Sequence, residues 1–256
     1  MPAEHIAAAS LVLMILYVHS KKSLIGAAAW FVFALACVAK IPDFLRGGDL
    51  YNASLFSLAA ILFFLIAISA YRRNSEVLVE VTAFSALACA IYFPFAFIGF
   101  LNSAIIEKTA ELSVQLGNAL GFPMRLDGRT MELNGKVVEI ILACTAIESM
   151  ALFAGATLGI KADGWRKFKA FLASVPVIYV LNLFRNVFVA VSYAYSWFGE
   201  NSFYIAHHVV AKALSTLALV VIAYVVFNIL PELAELIYSL KDEILRGVGV
   251  DRTQRH

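Results

Sequence analysis

Cys144 is the residue of this sequence whose type and surroundings best suit covalent chemistry. It lies in the segment ACTAIES, residues 143–149, where a polar loop gives way to an apolar run. A thiolate is a strong nucleophile, and a nearby cation favours its formation. Cys37 and Cys89 instead lie among Ala, Leu and Val, which is typical of small packing residues. We therefore predict that Cys144 is a nucleophile.

Ionisable residues within the apolar runs follow Cys144 along the chain. Each such group costs about 2.5–3.5 kcal/mol at a bilayer centre and usually marks function. Glu148 comes four residues after Cys144 and would share its face of a continuous helix. Arg185 lies in a later run, and Lys212 follows His208 by four residues in the last one. The flanking polar candidates are Asn182, Asn186 and His207.

These residue types suit thiol acyl transfer. A His could act as the base, or as the acid that protonates a leaving amine. Arg185, held by Asn182 and Asn186, could stabilise an oxyanion, and Glu148 could orient the His or hold the Arg. Structural roles remain open as well: Glu148 could pair with Arg185 or Lys212, and the Asn side chains could join helices.

The composition indicates a polytopic membrane protein. Of 256 residues, 62% are hydrophobic and 15% are charged, whereas soluble proteins carry about 25% charged residues. A net charge of +2 without a basic run argues against nucleic acid as a partner. Three cysteines without a CxxC motif indicate neither a disulfide framework nor a zinc site. The first apolar run has no Lys or Arg before His19, so we predict a membrane helix rather than a cleaved signal peptide.

Seven apolar runs approach the roughly 20 residues that a spanning helix needs. We therefore predict an all-α polytopic membrane protein with about seven transmembrane helices. Residues 1–230 would form one transmembrane domain, and residues 231–256 a cytoplasmic amphipathic helix with a disordered end. The predicted spans are Glu4–His19, Ser23–Ala39, Tyr51–Tyr71, Leu78–Leu101, Ile140–Ile160, Lys167–Phe198 and Tyr204–Leu230.

The loops between these spans differ in charge. One alternating set, which includes the C-terminal tail, carries about twice as many Lys and Arg residues as the other, and the positive-inside rule assigns it to the cytoplasm. The N-terminus is then predicted outside and the C-terminus inside. Cys144, Arg185 and the His207-His208 pair would all lie near the outer face.

The longest loop, residues 102–139, would also lie outside. Its first part, Ala104–Leu120, has a helical apolar pattern. Further on, Asn134-Gly135 separates two short runs, Thr130–Leu133 and Val137–Ile140. Asn-Gly between alternating runs is a strong hairpin signal. We predict a small extracytoplasmic helix and hairpin that lead directly into Cys144.

These motifs, in this order, resemble the exosortase/archaeosortase family of membrane transpeptidases. The resemblance consists of Ala143–Ala146 at the head of one span, Arg185 within the next, and Ala206-His207-His208 at the start of the last. It covers roughly residues 121–231 and is closer to the archaeal branch. The four preceding spans share only their hydrophobicity.

The resemblance implies a function. Members cleave surface-protein precursors that end in a short motif, a hydrophobic helix and a basic tail, and transfer the protein onward, in archaea to a membrane lipid. Cys144 would then be the nucleophile and Arg185 would stabilise the transition state. The third group would be His208, His207 or Lys212. We favour His208, because Lys212 follows it by four residues and Cys144 needs a partner of a type that titrates near neutral pH. Thiol acyl transfer implies no cofactor and no metal.

A non-enzymatic transporter or channel is the alternative function. Arg185, Glu148 and Lys212 would then line a substrate path. Two features weigh against it: the polar groups lie at one predicted depth, and no pair of helices broken by Gly or Pro marks a transport site.

Overall fold

The computed structural model describes residues 2–249, which divide into two compact units. One unit contains the chain up to Ala90, the short segment Leu158–Ala162 and the residues from Pro231 onward. The other contains Ile91–Thr157 and Asp163–Leu230. All candidate site residues belong to the second unit.

The first unit is built from long apolar helices joined by short polar turns. They are α1 (Pro2–Ser20), α2 (Ser23–Arg46), α3 (Leu50–Arg72) and the first two thirds of α4 (Glu76–Phe97). Asp49 caps α3 by accepting a hydrogen bond from the Asn52 backbone N–H at 3.1 Å. Between helices, Trp30 Nε1 donates to Thr82 Oγ1 at 2.9 Å, so two buried polar groups satisfy each other.

Helix α10 (Pro231–Gly247) completes the first unit and packs against α3. Arg72 Nη1 donates to the Gly247 carbonyl at 2.9 Å, which satisfies an acceptor at the end of α10. Arg73 forms an ion pair of 3.1 Å with Glu243. The disordered end predicted after this helix falls mainly in residues 250–256, outside the described residues.

The second unit contains α5 (Gly99–Ala119) and a three-stranded antiparallel sheet of β1 (Arg125–Asp127), β2 (Thr130–Leu133) and β3 (Lys136–Glu139). A 3-10 turn, Leu142–Cys144, leads into α6 (Ile147–Gly159), which α7 (Gly164–Ala194) follows. The remaining elements form a nearly continuous helical run. They are a 3-10 turn at Gly199–Asn201, α8 (Ser202–Tyr204), a π-helical turn at Ile205–Val210 and α9 (Ala211–Ile229).

The predicted hairpin is present. Leu133 pairs with Lys136, so the loop is the two residues Asn134 and Gly135, with φ of 51° and 72°. Positive φ at both positions is the geometry in which Asn-Gly is favoured, because it matches the twist of the strands. Asn134 Nδ2 also donates to the Ala194 carbonyl at 3.1 Å. The turn thereby satisfies an acceptor at the C-terminal end of α7.

The core of the second unit lies between α5, the sheet and the C-terminal half of α7. It buries apolar residues from each of these elements, and Cys144 packs against it, partly buried. A side chain on Gly117 would collide with Met124, so this glycine allows the chain after α5 to fold back closely. The buried members are Ile106, Ala110, Val114, Met124, Met131, Leu133, Ile140, Val187, Ala190, Val191 and Ala194.

The structure confirms the predicted all-α polytopic class with a small inserted sheet. Within residues 2–249, six helical segments are long and apolar enough to cross a membrane, and they correspond to the predicted spans one to four, six and seven. The fifth prediction, Ile140–Ile160, is wrong in its start, because the helix begins only at Ile147. The structure therefore has a shorter apolar helix of 13 residues at that place.

Candidate active site

Cys144 ends a tight 3-10 turn and precedes α6; it does not lie inside a helix as predicted. Its backbone N–H donates to the Ile141 carbonyl at 2.8 Å, and the Thr145 N–H donates to Leu142 at 3.0 Å. The buried Thr145 hydroxyl donates to the same Leu142 carbonyl at 2.7 Å and accepts the Ile147 N–H at 3.4 Å. These bonds fix the turn, while Cys144 itself stays partly exposed.

Ala146 separates this turn from α6. Its φ is 59°, in the left-handed region that costs a non-glycine residue about 1–2 kcal/mol. The Ala146 carbonyl accepts a hydrogen bond from the Met150 N–H at 2.9 Å, so the hydrogen bonding of α6 starts at this left-handed residue. Such strain is common at functional sites, where the surrounding structure holds the conformation in place.

The left-handed conformation of Ala146 interrupts the helix that the sequence predicted to contain both Cys144 and Glu148. Glu148 was expected on the helical face of Cys144, but that spacing applies only within a continuous helix. Glu148 instead lies exposed in the first turn of α6, and Cys144 lies beyond the break. A carboxylate there lies close to the positive end of the α6 dipole.

The Asn182 and Asn186 side chains bind the backbone of Cys144. Asn182 Nδ2 donates to the Cys144 carbonyl at 2.7 Å, and Asn186 Nδ2 donates to the same oxygen at 3.1 Å. Both Asn residues are buried. The carbonyl thus uses both of its lone pairs. The Asn182 and Asn186 side chains form a clamp that fastens the Cys144 turn to α7. The sequence had suggested that these side chains hold Arg185; the structure supports the alternative role, hydrogen bonding between elements.

Arg185 lies between the two Asn residues in sequence but projects from a neighbouring side of α7. At 3.6 residues per turn, Asn182 and Asn186 share one face, and Arg185 lies about 60° around the helix from Asn182 and about 100° from Asn186. Arg185 is half-buried. The two amide hydrogen bonds therefore hold the Cys144 backbone at the turn of α7 that carries Arg185.

His207 and His208 lie in the π-helical turn before α9, which packs against α7. Each imidazole stacks on an aromatic ring one turn earlier: His207 on Phe203 at 5.4 Å and His208 on Tyr204 at 5.2 Å between ring centroids. The two imidazoles meet edge to face at 4.6 Å. π-helical turns often occur at functional sites.

A polar chain that no sequence motif marked reaches Asn186 from α5. Asn186 Nδ2 lies 3.5 Å from Ser113 Oγ, and Ser113 Oγ donates to the Thr109 carbonyl at 2.7 Å. Thr109 Oγ1 in turn lies 3.2 Å from Tyr179 Oη. Ser113 and Thr109 are fully buried. The sequence marks Thr109 and Ser113 in one way only: these two small polar residues, four apart, interrupt the apolar face of α5.

His, Cys, Asp and Glu side chains within residues 2–249 form no group of three that could hold a metal ion. The candidate residues offer a partly exposed thiol at the end of the 3-10 turn, a guanidinium on α7 and a pair of stacked imidazoles before α9. These groups can perform nucleophilic attack, oxyanion stabilisation and proton transfer.

Comparisons with known proteins show the family to which the chain belongs. The family model described as transmembrane exosortase matches residues 4–227. The chain is 28% identical over 246 residues to Archaeosortase A of Haloferax volcanii, covering 82% of this chain and 81% of the relative. It is 26% identical over 264 residues to Archaeosortase A of Natronomonas pharaonis, covering 90% and 82%. No solved structure matches the chain. Since the family match covers most of the sequence, including all the candidate site residues, the chain belongs to the transmembrane exosortase family.

Proposed function

We propose that this protein is a cysteine transpeptidase that cleaves the C-terminal sorting signal of surface-protein precursors and transfers the protein to a membrane lipid. Membership of the family supports the general activity, a membrane transpeptidase that processes such signals, and disfavours the transporter alternative. The cysteine chemistry, the residue roles and the lipid acceptor are the specific content of the proposal.

One observation carries the chemical assignment. The Cys144 carbonyl accepts hydrogen bonds from Asn182 and Asn186, the residues that bracket Arg185 on α7. The nucleophile is thereby fastened, through its own backbone, to the helical turn that carries the oxyanion-stabilising group. Attack on a carbonyl needs this kind of fixed relation, because small misplacements of reacting groups are costly in rate.

The proposed reaction proceeds in two halves. The Cys144 thiolate attacks the carbonyl carbon of the scissile peptide, and the oxyanion that forms accepts hydrogen bonds from the Arg185 guanidinium. The C–N bond then breaks, and an imidazole, His208 in our assignment, gives its proton to the leaving amine. In the second half the acceptor loses a proton to the now neutral imidazole and attacks the thioester, the C–S bond breaks, and the Cys144 thiolate and the protonated imidazole of the start are both restored.

The third group is assigned to His208, with His207 and Lys212 as the other candidates. Both imidazoles are held by aromatic stacking in the π turn, which restricts their rotation. Only an imidazole ordinarily changes its charge near neutral pH, and the proposed cycle needs a group that both gives and takes a proton.

The site is proposed to face the outside of the cell. This orientation follows from the positive-inside rule applied to the loops, with the N-terminus outside and the C-terminus in the cytoplasm. A membrane-impermeant maleimide should then label Cys144 in intact cells. Labelling of Cys144 only after the membrane is permeabilised would contradict this orientation.

The decisive experiment uses purified protein in liposomes and a precursor that ends in motif, apolar helix and basic tail. Cys144→Ala should abolish the shortening of the precursor, and Cys89→Ala, a matched change in α4, should not. Hydroxylamine added to the wild type should release a hydroxamate of the shortened protein, because it attacks thioesters. Continued shortening by Cys144→Ala would exclude the cysteine mechanism.

Arg185→Lys tests the oxyanion role. Lysine keeps the charge but loses the planar fork of donors, so we expect processing to fall by about 100-fold or more. Arg185 is half-buried, and lysine has an apolar stem similar to that of arginine, so the variant should still fold. Wild-type rates in Arg185→Lys would remove Arg185 from the mechanism and leave the role of Cys144 standing.

A further inference from the structure

We infer that Ser113, on α5, is a positioning residue for Cys144 and acts on it through Asn186. This inference rests on the proposed function and extends it to a helix that lies outside the motifs of the sequence. Helix α5, which precedes the sheet, would then help to hold the active site in position.

The first step is the direction of the Ser113 hydroxyl. Ser113 Oγ donates its single proton to the Thr109 carbonyl at 2.7 Å, one turn earlier on α5. With its proton used, the oxygen can only accept a further hydrogen bond. Ser113 therefore presents an acceptor to α7, at a position where the residue is fully buried.

The second step is the use of that acceptor by Asn186. The Asn186 amide nitrogen carries two N–H groups; one donates to the Cys144 carbonyl at 3.1 Å and the other faces Ser113 Oγ at 3.5 Å. Asn186 is buried, so an N–H without an acceptor would be costly. Ser113 thus holds the nitrogen end of the amide towards both oxygens and disfavours the flipped orientation, which would turn the amide oxygen towards the Cys144 carbonyl.

The third step is the rigidity of α5 itself. Thr109 Oγ1 lies 3.2 Å from Tyr179 Oη on α7, and the apolar face of α5 contributes Ile106, Ala110 and Val114 to the core of the unit. The acceptor on Ser113 is therefore fixed relative to α7 by both packing and a second polar link. A fixed acceptor can orient Asn186, whereas a mobile one could not.

Ser113→Ala tests the inference, with Ser174→Ala as the matched control. Ser174 is also buried and its hydroxyl also donates one turn back, to Ala170 at 2.7 Å, but it has no link to Cys144 among the described residues. We expect Ser113→Ala to lower kcat about tenfold with KM within about twofold, because the lost bond orients the nucleophile and not the substrate. Ser174→Ala should leave both constants near those of the wild type.

A cycle with Asn186 separates positioning from general damage. If Ser113 acts through Asn186, Ser113→Ala should change kcat by less than about twofold in an Asn186→Ala background, because coupled residues are not additive. Additive losses, or an equal loss in Ser174→Ala, would overturn the inference. Ser113→Thr keeps the hydroxyl and should restore kcat towards the wild type.

A readout without substrate keeps this inference distinct from the proposed function. The rate at which iodoacetamide alkylates Cys144, followed by mass spectrometry of its peptide, reports the presentation of the thiol alone. Ser113→Ala should change this rate at least about threefold across the pH range, and Ser174→Ala should not. An unchanged alkylation profile overturns the positioning role. Precursor processing by Cys144→Ala overturns the proposed function instead, whatever the alkylation rates are.

Discussion

Replacing Ala146 by glycine should make the protein slightly more stable and less active. Ala146 has φ of 59° between the Cys144 turn and α6. The left-handed conformation costs alanine about 1–2 kcal/mol, a cost that glycine does not have. Glycine is freer in the unfolded chain, which offsets about 0.4–1 kcal/mol of that gain. The expected net stabilisation is about 0.5–1 kcal/mol, a difference between these two terms.

The loss of activity has the same origin. Two hydrogen bonds span Ala146: the Ile147 N–H donates to Thr145 Oγ1, and the Met150 N–H donates to the Ala146 carbonyl. Once both have formed, alanine has few alternatives to its present φ. Glycine widens the range of φ at this position, so the turn that presents Cys144 can sample other orientations. We expect kcat to fall by about three- to tenfold, because the near-attack geometry is occupied less often.

The assay compares Ala146→Gly with Ala156→Gly, the same change within α6. Ala156 is half-buried and helical, so its replacement should destabilise the protein by about 1 kcal/mol. Thermal unfolding in detergent should show Tm rising by about 1–4 °C for Ala146→Gly and falling for Ala156→Gly. If both variants lose stability equally, the strain assigned to Ala146 is wrong. If Ala146→Gly gains stability and keeps full activity, the strain has no part in presenting the thiol.

Two further predictions concern the clamp and the hairpin. Asn182→Asp should reduce processing at least about tenfold more than Asn182→Ala does. A carboxylate oxygen would then face the Cys144 carbonyl, where the Asn182 amide now donates at 2.7 Å. Equal rates for the two variants would exclude a donor role for Asn182. Gly135→Ala should lower the free energy of unfolding by about 1–2 kcal/mol, because φ is 72° there, and thermal unfolding measures this. Thr130→Ala, at the other end of β2, is the control for the hairpin, and a loss as large as that of Gly135→Ala would contradict the turn argument.

Local patterns in the sequence predicted much of the fold. Apolar runs located the six long helices, because a helix satisfies its own backbone hydrogen bonds and needs only length and hydrophobicity to cross a bilayer. The Asn134-Gly135 turn was equally predictable, since its positive φ values are a property of two adjacent residues. The composition around Cys144 also made this cysteine the prime candidate for a nucleophile, without any contact being known.

Other features depended on a single backbone conformation that the pattern of residue types does not reveal. The apolar run from Ile140 looked like one helix, but Ala146 has a left-handed conformation within it and α6 starts only at Ile147. Alanine ordinarily favours a helix, so its residue type did not mark the break in the apolar run. The supposed shared face of Cys144 and Glu148 was lost with that start.

The partners of the clamp were decided by tertiary structure alone. Asn182 binds a carbonyl 38 residues away, and Asn186 binds Ser113 across 73 residues. No periodicity in the sequence joins such positions, because their approach depends on how α5 and α7 pack and on where the turn after the sheet ends. The sequence by itself determined which residues could do chemistry; the packing of α5 and the Cys144 turn against α7 decided which side chains hold the backbone of Cys144 in place.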